Sequence, residues 1–241
     1  MSKRLNQLLV KRIRDLNLRY GLITNADRIA IGLSGGKDSM AMLSLLLLFR
    51  RYTPLNYDLV PIYVDLGFGN DITDLVSWCK REGLELIVRE TDIASIVFDI
   101  RQEKNPCALC SNLRRGALNR SAKEQGCNKV ALGHHLDDVV NTYLLSLLYE
   151  GRFHLFRPLT WLDRIDITVI RPLVYIEEAL LQRYVAEEGL QPIINRCPVD
   201  DITRRQEVNE LLETISQSYP DIRRRILSAI EHAEPNSFWT T

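Results

Sequence analysis

The strongest chemical signal in the chain is the six-residue run Ser34-Gly35-Gly36-Lys37-Asp38-Ser39, which follows a short apolar segment and opens a stretch of helical periodicity. Two glycines let the backbone approach a ligand closely. A helix start directs amide N–H groups and the positive end of the helix dipole at an anion, and Lys37 adds a point charge. The ligand such a loop suits is a pyrophosphate. The spacing is not that of the Walker loop. A plain glycine-rich turn would explain the two glycines but not the Ser, Lys, Asp and Ser that flank them.

A second string, Gly133-His134-His135-Leu136-Asp137-Asp138-Val139-Val140-Asn141-Thr142, also passes from an apolar run into a helical pattern. Asp137 and Asp138 suit Mg²⁺, a hard cation that takes carboxylates together with phosphate oxygens. Two acids at a helix start also complement the dipole without any metal. The third feature is Cys107-Ala108-Leu109-Cys110, with a distant Cys197 in Asn195-Arg196-Cys197-Pro198. On its own a CxxC fits half a zinc site, a redox pair or two buried thiols. The total of five cysteines is odd, and no export signal precedes them, which argues against a disulfide framework. Cys79 and Cys127 lie in helical contexts and read as packing residues.

The elements that must position these residues follow from alternating periodicities. Segments 28–33, 57–65, 85–90 and 129–133 are short, apolar and β-branched, and helix-length segments at 38–51, 70–82 and 108–126 separate them. This alternation predicts an α/β fold, a doubly wound parallel sheet. A basic amphipathic helix over 3–20, with Leu5, Leu8, Leu9, Ile13, Leu16 and Leu18 on one face, precedes it. After residue 175 the pattern is helical. Residues 1–175 are therefore expected to form the nucleotide-binding domain, and 176–241 a small helical extension carrying Cys197.

Composition sets the outer bounds. The chain has 241 residues, 46% hydrophobic and 26% charged, which excludes disordered and fibrous classes. Lys plus Arg and Asp plus Glu both total 31, so nucleic acid can be gripped only by local patches. Arg114, Arg115 and Arg120 follow the CxxC, and Arg204, Arg205, Arg223, Arg224 and Arg225 crowd the C-terminal segments. Each group reads either as a solvated helix face or, with the basic N-terminal helix, as part of a phosphate-gripping surface. The run at 45–49 ends in Arg50 and Arg51, too short to span a bilayer. Charges interrupt the N-terminus every few positions, so the expectation is a cytoplasmic protein with no membrane partner.

The string SGGKDS at 34–39 resembles the signature of the PP-loop ATP pyrophosphatases, and 133–142 resembles their GHxxDDxxET element, with Asn141 where Glu often stands. CxLCSxLRRG at 107–116, the paired histidines and IRPL at 170–173 are similar to the tRNA 2-thiocytidine synthetases, a resemblance running over about 5–232. It implies an adenine nucleotide alpha hydrolase-like fold in which ATP is cleaved between its α and β phosphates. By the same resemblance ATP lies on Ser34, Gly35, Gly36, Lys37, Asp38, Ser39, Asp65, Gly133 and His134. Asp65 contacts the nucleoside there, and its ordinary reading is a solvated strand-end acid. Lys37, Asp38 and Asp138 carry the catalytic roles and Asp137 and Asp138 hold Mg²⁺. A [4Fe–4S] cluster sits on Cys107, Cys110 and Cys197, with Arg114 and Arg115 toward the RNA.

The implied activity is a tRNA-cytidine 2-sulfurtransferase that adenylates the C2 oxygen of an anticodon-loop cytidine and replaces it with sulfur, releasing AMP and pyrophosphate. Its partners are tRNA, a sulfur donor such as a cysteine desulfurase and, as a homodimer, a second copy of the chain. A thiolase acting on another base or RNA shares every motif. A lysidine-type tRNA ligase needs no cluster, and the three cysteines speak against it. An ATP-binding sensor with structural zinc is the non-enzymatic alternative.

Overall fold

The computed structural model describes residues 3–102, 105–194, 196–197 and 204–233. Its strands are β1 Arg28–Gly32, β2 Asp58–Asp65, β3 Ile87–Glu90, β4 Lys129–Ala131, β5 Leu159–Leu162 and β6 Ile167–Ile170. They form one sheet in the order β3-β2-β1-β4-β6-β5, in which β5 alone runs antiparallel to its neighbour. The doubly wound α/β class expected from sequence is correct. The sheet is mostly parallel, and the segment after residue 158 adds a hairpin at one edge. Its strands are four residues each, interrupted by Asp163, Arg164 and Asp166, too brief for a period to emerge. Asp166 turns the chain at a φ of +48°, a conformation that Asp tolerates better than most side chains.

The helices are α1 Lys3–Tyr20, α2 Lys37–Tyr52, α3 Thr73–Arg81, α4 Ile93–Ser95, α5 Pro106–Glu124, α6 Leu136–Leu145, α7 Glu178–Glu187, α8 Arg204–Ser218 and α9 Ile222–Glu231. Both α4 and α6 continue into π-helical turns, Ile96–Arg101 and Ser146–Glu150. One face of the sheet is covered by α1, α2, α3 and α7, whose Leu9, Leu16, Leu45, Leu46, Leu75 and Leu181 share a core with Ile29 and Ile31. The other face is covered by α4 and α5, with Val97, Leu118 and Ala122 against Ala30, Ile62 and Val130. Burial on both faces explains why the central strands read as unbroken apolar runs. A smaller cluster of Leu136, Val140, Val208 and Leu212 seats α8 and α9 on α6. Cys79 and Cys127 are buried among apolar neighbours, as packing residues should be.

On α1 the buried stripe is Leu5, Leu9, Val10, Ile13 and Leu16. Leu8 and Leu18 fall off it and are 40% and 78% exposed, a correction to the face expected from sequence. Two of the helix's arginines are spent inside the molecule: Arg12 pairs with Glu177, and Arg19 with Glu231 at 3.0 Å. Among the described residues no helix is long and apolar enough to cross a membrane.

The chain leaves β1 toward β2 and β3 and returns on the other side as β4, so the winding reverses between β1 and β4. In open α/β sheets the crevice at the carboxyl ends of such strands is where ligands bind. The opposite ends of the same two strands are tied by a buried ion pair: Lys129 Nζ donates to Asp27 at 2.6 Å and to the Leu22 carbonyl at 2.8 Å. Burial disfavours the Asp27 carboxylate, but Lys129, the Thr24 amide and Asn128 outweigh it and hold Asp27 below its ordinary value of 3.8. Its contribution to stability is therefore full above that value and is lost as pH falls toward the depressed one. Lys129→Met leaves a buried carboxylate without its cation and is expected to cost about 3–5 kcal/mol. For a chain of this size that lowers Tm at neutral pH by roughly 6–20 °C, and the gap between wild type and variant should shrink in strong acid. An unchanged Tm would show that Thr24 and Asn128 suffice.

Candidate active site

The phosphate-type loop lies between β1 and α2, at the reversal point. Gly35 adopts a φ of +79°, and a Cβ placed there would stand 2.4 Å from Ile193 Cγ1. Glycine is thus required twice, for backbone conformation and for space. Ile193 also donates its backbone N–H to the Gly35 carbonyl at 3.0 Å, so the segment leading to Cys197 crosses directly over the loop. Ser39, buried at the start of α2, donates to the Gly36 carbonyl at 2.9 Å and lies 3.2 Å from the Ser34 hydroxyl, bracing the loop from below. No side chain caps α2. Its first amides are arranged as an anion site.

Gly133 brings the second motif against the first: a Cβ there would meet the Asp38 carbonyl carbon at 3.2 Å and the Ser39 amide nitrogen at 3.3 Å. Around this contact sits an acidic cluster with a histidine at its centre. His135 is buried, with Nε2 at 3.5 Å from Asp138 and 4.0 Å from Asp38, and Nδ1 at 3.6 Å from Asp137. Burial opposes a charge on His135, but the three carboxylates prevail and raise its pKa above the ordinary value. Asp138 also accepts the His135 backbone N–H at 3.0 Å, fixing the first turn of α6.

Asp137 is also tied to elements outside this cluster. It accepts the Glu178 backbone N–H at 2.7 Å and pairs with Arg223 Nε at 2.8 Å. Burial raises its pKa, while His135, the Glu178 amide and Arg223 together bring it below the ordinary range. Lys37 is held by Asp38 at 2.9 Å and by Glu178 at 2.8 Å. Burial works against the ammonium, and these two partners more than compensate, so its pKa is raised. Sequence reasoning found Lys37, Asp38 and Asp138 but missed His135 and Glu178. The signals available were the second histidine of the pair and the adjacent acids Glu177 and Glu178 opening a helix.

The other expected residues lie around this centre. Asp65 ends β2, and its carboxylate accepts the Gly67 N–H at 2.9 Å in a local turn. The His134 ring packs on Phe156 with centroids 5.0 Å apart. Asn141 is buried and donates to Asn209 of α8 at 2.8 Å. A cleft of about 530 Å³ opens beside the cluster, lined by five carboxylates (Asp137, Glu177, Glu178, Glu213, Asp221) against two guanidiniums (Arg223, Arg224). Its net negative charge repels a triphosphate, leaving the α2 start as the anion face.

Cys107 and Cys110 sit in the first turns of α5, where Asn105 accepts the Ala108 N–H at 3.3 Å. Burial raises the Cys110 pKa, Arg114 opposes that, and Cys197 adds to it. The backbone N–H of Arg196 is anchored on Asn70 at 3.0 Å. Among the described residues no three His, Cys, Asp or Glu side chains converge on a point where one metal ion could sit. Cys107, Cys110 and Cys197 are free thiols, and three soft sulfur donors of this kind fit an iron–sulfur cluster. Likewise Asp38 and Asp138 suit Mg²⁺ held by one or two carboxylates plus phosphate oxygens.

Arg114 and Arg115 are exposed on α5, beside the cysteines. The C-terminal arginines are less available than their sequence suggests. Arg223 is spent on Asp137 and Glu213, and Arg224 on Glu177. The side chains of Arg204 and Arg205 lie outside the described residues.

The PP-loop domain family matches residues 1–210. A tRNA-cytidine(32) 2-sulfurtransferase of Syntrophotalea carbinolica is 38% identical over 98% of this chain and 91% of its own length. One from Geobacter sulfurreducens is 37% identical over 90% of this chain and 86% of its own. Among solved structures, the U34-tRNA thiolase NcsA from Methanococcus maripaludis with its [4Fe–4S] cluster superposes with a TM-score of 0.76 at 28% identity, covering 95% of this chain and 80% of that one. An NH3-dependent NAD synthetase from Campylobacter jejuni shares the fold alone, with a TM-score of 0.52 at 15% identity. With a PP-loop domain over most of its length and full-length relatives at this identity, the chain belongs to the tRNA-cytidine(32) 2-sulfurtransferase family.

Proposed function

We propose that this chain is an ATP-dependent sulfurtransferase that converts the cytidine at position 32 of tRNA, the site named for its relatives, to 2-thiocytidine. The observation that carries the reading is the crossing of the 191–194 segment over the phosphate loop, which couples the nucleotide site to the chain leading to Cys197. The C2 oxygen of cytosine is a poor leaving group. Transfer of AMP from ATP to that oxygen expels pyrophosphate, and sulfur then attacks C2 while AMP departs with the oxygen.

In this scheme Ser34, Gly35, Gly36 and Ser39 shape the cradle whose amides bind the departing pyrophosphate, and Lys37 leaves its carboxylate partners for the phosphates. Asp65, Gly133 and His134 line the nucleoside side. Asp38 and Asp138 orient Mg²⁺, which when bound neutralises phosphate charge; Asp137 instead fixes α7 and α9 around the site. Cys107, Cys110 and Cys197 would hold the iron–sulfur cluster, which would supply the chemistry of sulfur delivery. Arg114 favours the Cys110 thiolate that such binding requires, and with Arg115 faces the RNA. A cysteine desulfurase as sulfur donor, a homodimeric state and a cytoplasmic location complete the proposal.

Nucleoside mass spectrometry of tRNA from a strain lacking this protein tests it: 2-thiocytidine should vanish, and no change in any thionucleoside would overturn the reading. Purified protein should also form AMP and pyrophosphate from ATP when tRNA is present, which a sensor would not. Lys37→Ala is expected to weaken ATP binding at least tenfold in calorimetric titration, since a charged contact is worth about 1.5–3 kcal/mol. Its Tm should stay near wild type, because Lys37 is partly exposed and its partners remain solvated. Unchanged ATP affinity would remove Lys37 from the site.

A further inference from the structure

Arg171 follows β6 at the carboxyl edge of the sheet, in the IRPL string, and no role described above uses it. Its guanidinium lies over the Phe156 ring, 4.8 Å from the centroid, and that ring also packs on His134. One terminal nitrogen donates to the Arg157 carbonyl at 2.7 Å and lies 3.5 Å from the Thr160 hydroxyl. The Nε atom is buried and has no acceptor.

Among the described residues no carboxylate pairs with this guanidinium, and the charged neighbour that acts on it is a second cation, Arg115 of α5. Burial and then Arg115 push its pKa down to about 10. Most buried arginines are matched by acids. A guanidinium that lies over an aromatic ring, keeps a buried Nε–H without an acceptor and has another cation rather than an acid acting on it favours an anion, and the planar N–H fork matches the oxygens of a phosphate.

We infer that Arg171 and Arg115 together bind a backbone phosphate of the RNA next to the nucleotide being modified. This rests on the reading of the chain as a tRNA sulfurtransferase. Position separates this phosphate from those of ATP: β6 lies beyond β4 from β1, so Arg171 stands on the far side of the Gly133-His134 turn from the phosphate loop. Arg115 shares a helix with Cys107 and Cys110. A phosphate held by both arginines would fix the target nucleotide between the cysteine end of α5 and the nucleotide site.

The test is tRNA binding by full-length Arg171→Gln, Arg171→Lys and Arg115→Ala across a series of salt concentrations, with ATP affinity and Tm measured on the same preparations. Arg171→Gln and Arg115→Ala should each weaken tRNA binding about tenfold. Each should also reduce the slope of log affinity against log salt by about one phosphate's worth. Arg171→Lys, which keeps the charge and loses the fork, should retain the slope and fall between Gln and wild type in affinity. ATP affinity should be unchanged in all three.

Wild-type affinity and slope in Arg171→Gln would overturn the inference, as would a loss matched by an equal loss of ATP affinity. A drop in Tm for Arg171→Gln with full tRNA affinity in Arg171→Lys and Arg115→Ala would assign Arg171 to packing on Phe156 and also overturn it. Each of these outcomes leaves 2-thiocytidine formation by the wild type intact. Absence of tRNA binding or thiolation in the wild type would instead defeat the underlying reading.

Discussion

Alanine at any one of Cys107, Cys110 or Cys197 is expected to abolish thiolation of tRNA while leaving ATP binding and the fold intact. The argument is one of separability. The nucleotide cradle is built by backbone and side chains of 34–39 and 133–138, and no cysteine lies in either segment. The segment leading to Cys197 is held by the Ile193 N–H on Gly35 and the Arg196 N–H on Asn70, both backbone donors that survive a side-chain change. Truncating a half-exposed thiol removes little packing.

What is lost is a ligand: of the four irons of a cubane, three would be held by these thiolates and one left open to sulfur, so removing any one thiolate would weaken the hold on the cluster. Anaerobically prepared wild type should therefore be brown and bleach in air, and each variant should be pale. Formation of AMP and pyrophosphate should be measured alongside thionucleoside content. Full thiolation by Cys197→Ala, or colourless anaerobic wild type containing stoichiometric zinc, would defeat the cluster assignment.

The parts of the site legible in the sequence are those encoded by local spacing. A strand–glycine–helix junction is written into consecutive residues, so the loop at 34–39 and the acidic turn at 133–138 could be placed at strand ends. Contacts made only when distant segments meet were not legible. Glu178 on Lys37, His135 beside Asp38 and Ile193 on Gly35 each join segments that the sequence keeps apart.

The arginines show the same limit in another form. Charge is visible residue by residue, but whether it faces solvent depends on partners, and Arg12, Arg19, Arg223 and Arg224 are all paired within the molecule. Arg171, by contrast, has no acidic partner among the described residues. The edge hairpin escaped because four-residue strands interrupted by charges carry no readable period. Asp137 and Asp138 are adjacent and chemically identical and both flank His135, yet Asp138 accepts the His135 backbone N–H while Asp137 reaches on to α7 and α9.

The second large effect is expected at the loop itself. Gly35→Ala must place a non-glycine residue at a φ of +79° and a Cβ 2.4 Å from Ile193 Cγ1, a separation that real atoms do not tolerate. A left-handed conformation costs a non-glycine residue about 1–2 kcal/mol, and overpacking adds roughly 1–3 kcal/mol. The strain can be relieved only by moving the loop or lifting the 191–194 segment off it, and either movement misaligns the amides at the start of α2. ATP affinity should fall by about 30-fold or more, and thiolation further still, because the displaced segment leads to Cys197.

Gly36→Ala provides the contrast. Gly36 has a φ of −72°, and a Cβ there would meet nothing nearer than the Ser34 hydroxyl at 3.5 Å. Its cost to the unliganded fold is therefore small, and any loss of ATP binding must come from contact with the phosphates. Comparing Tm and ATP affinity for the two variants separates strain in the loop from room for the ligand. Equal Tm values for Gly35→Ala and wild type, with ATP affinity retained, would mean that Ile193 yields freely and that the crossing segment does not control the loop.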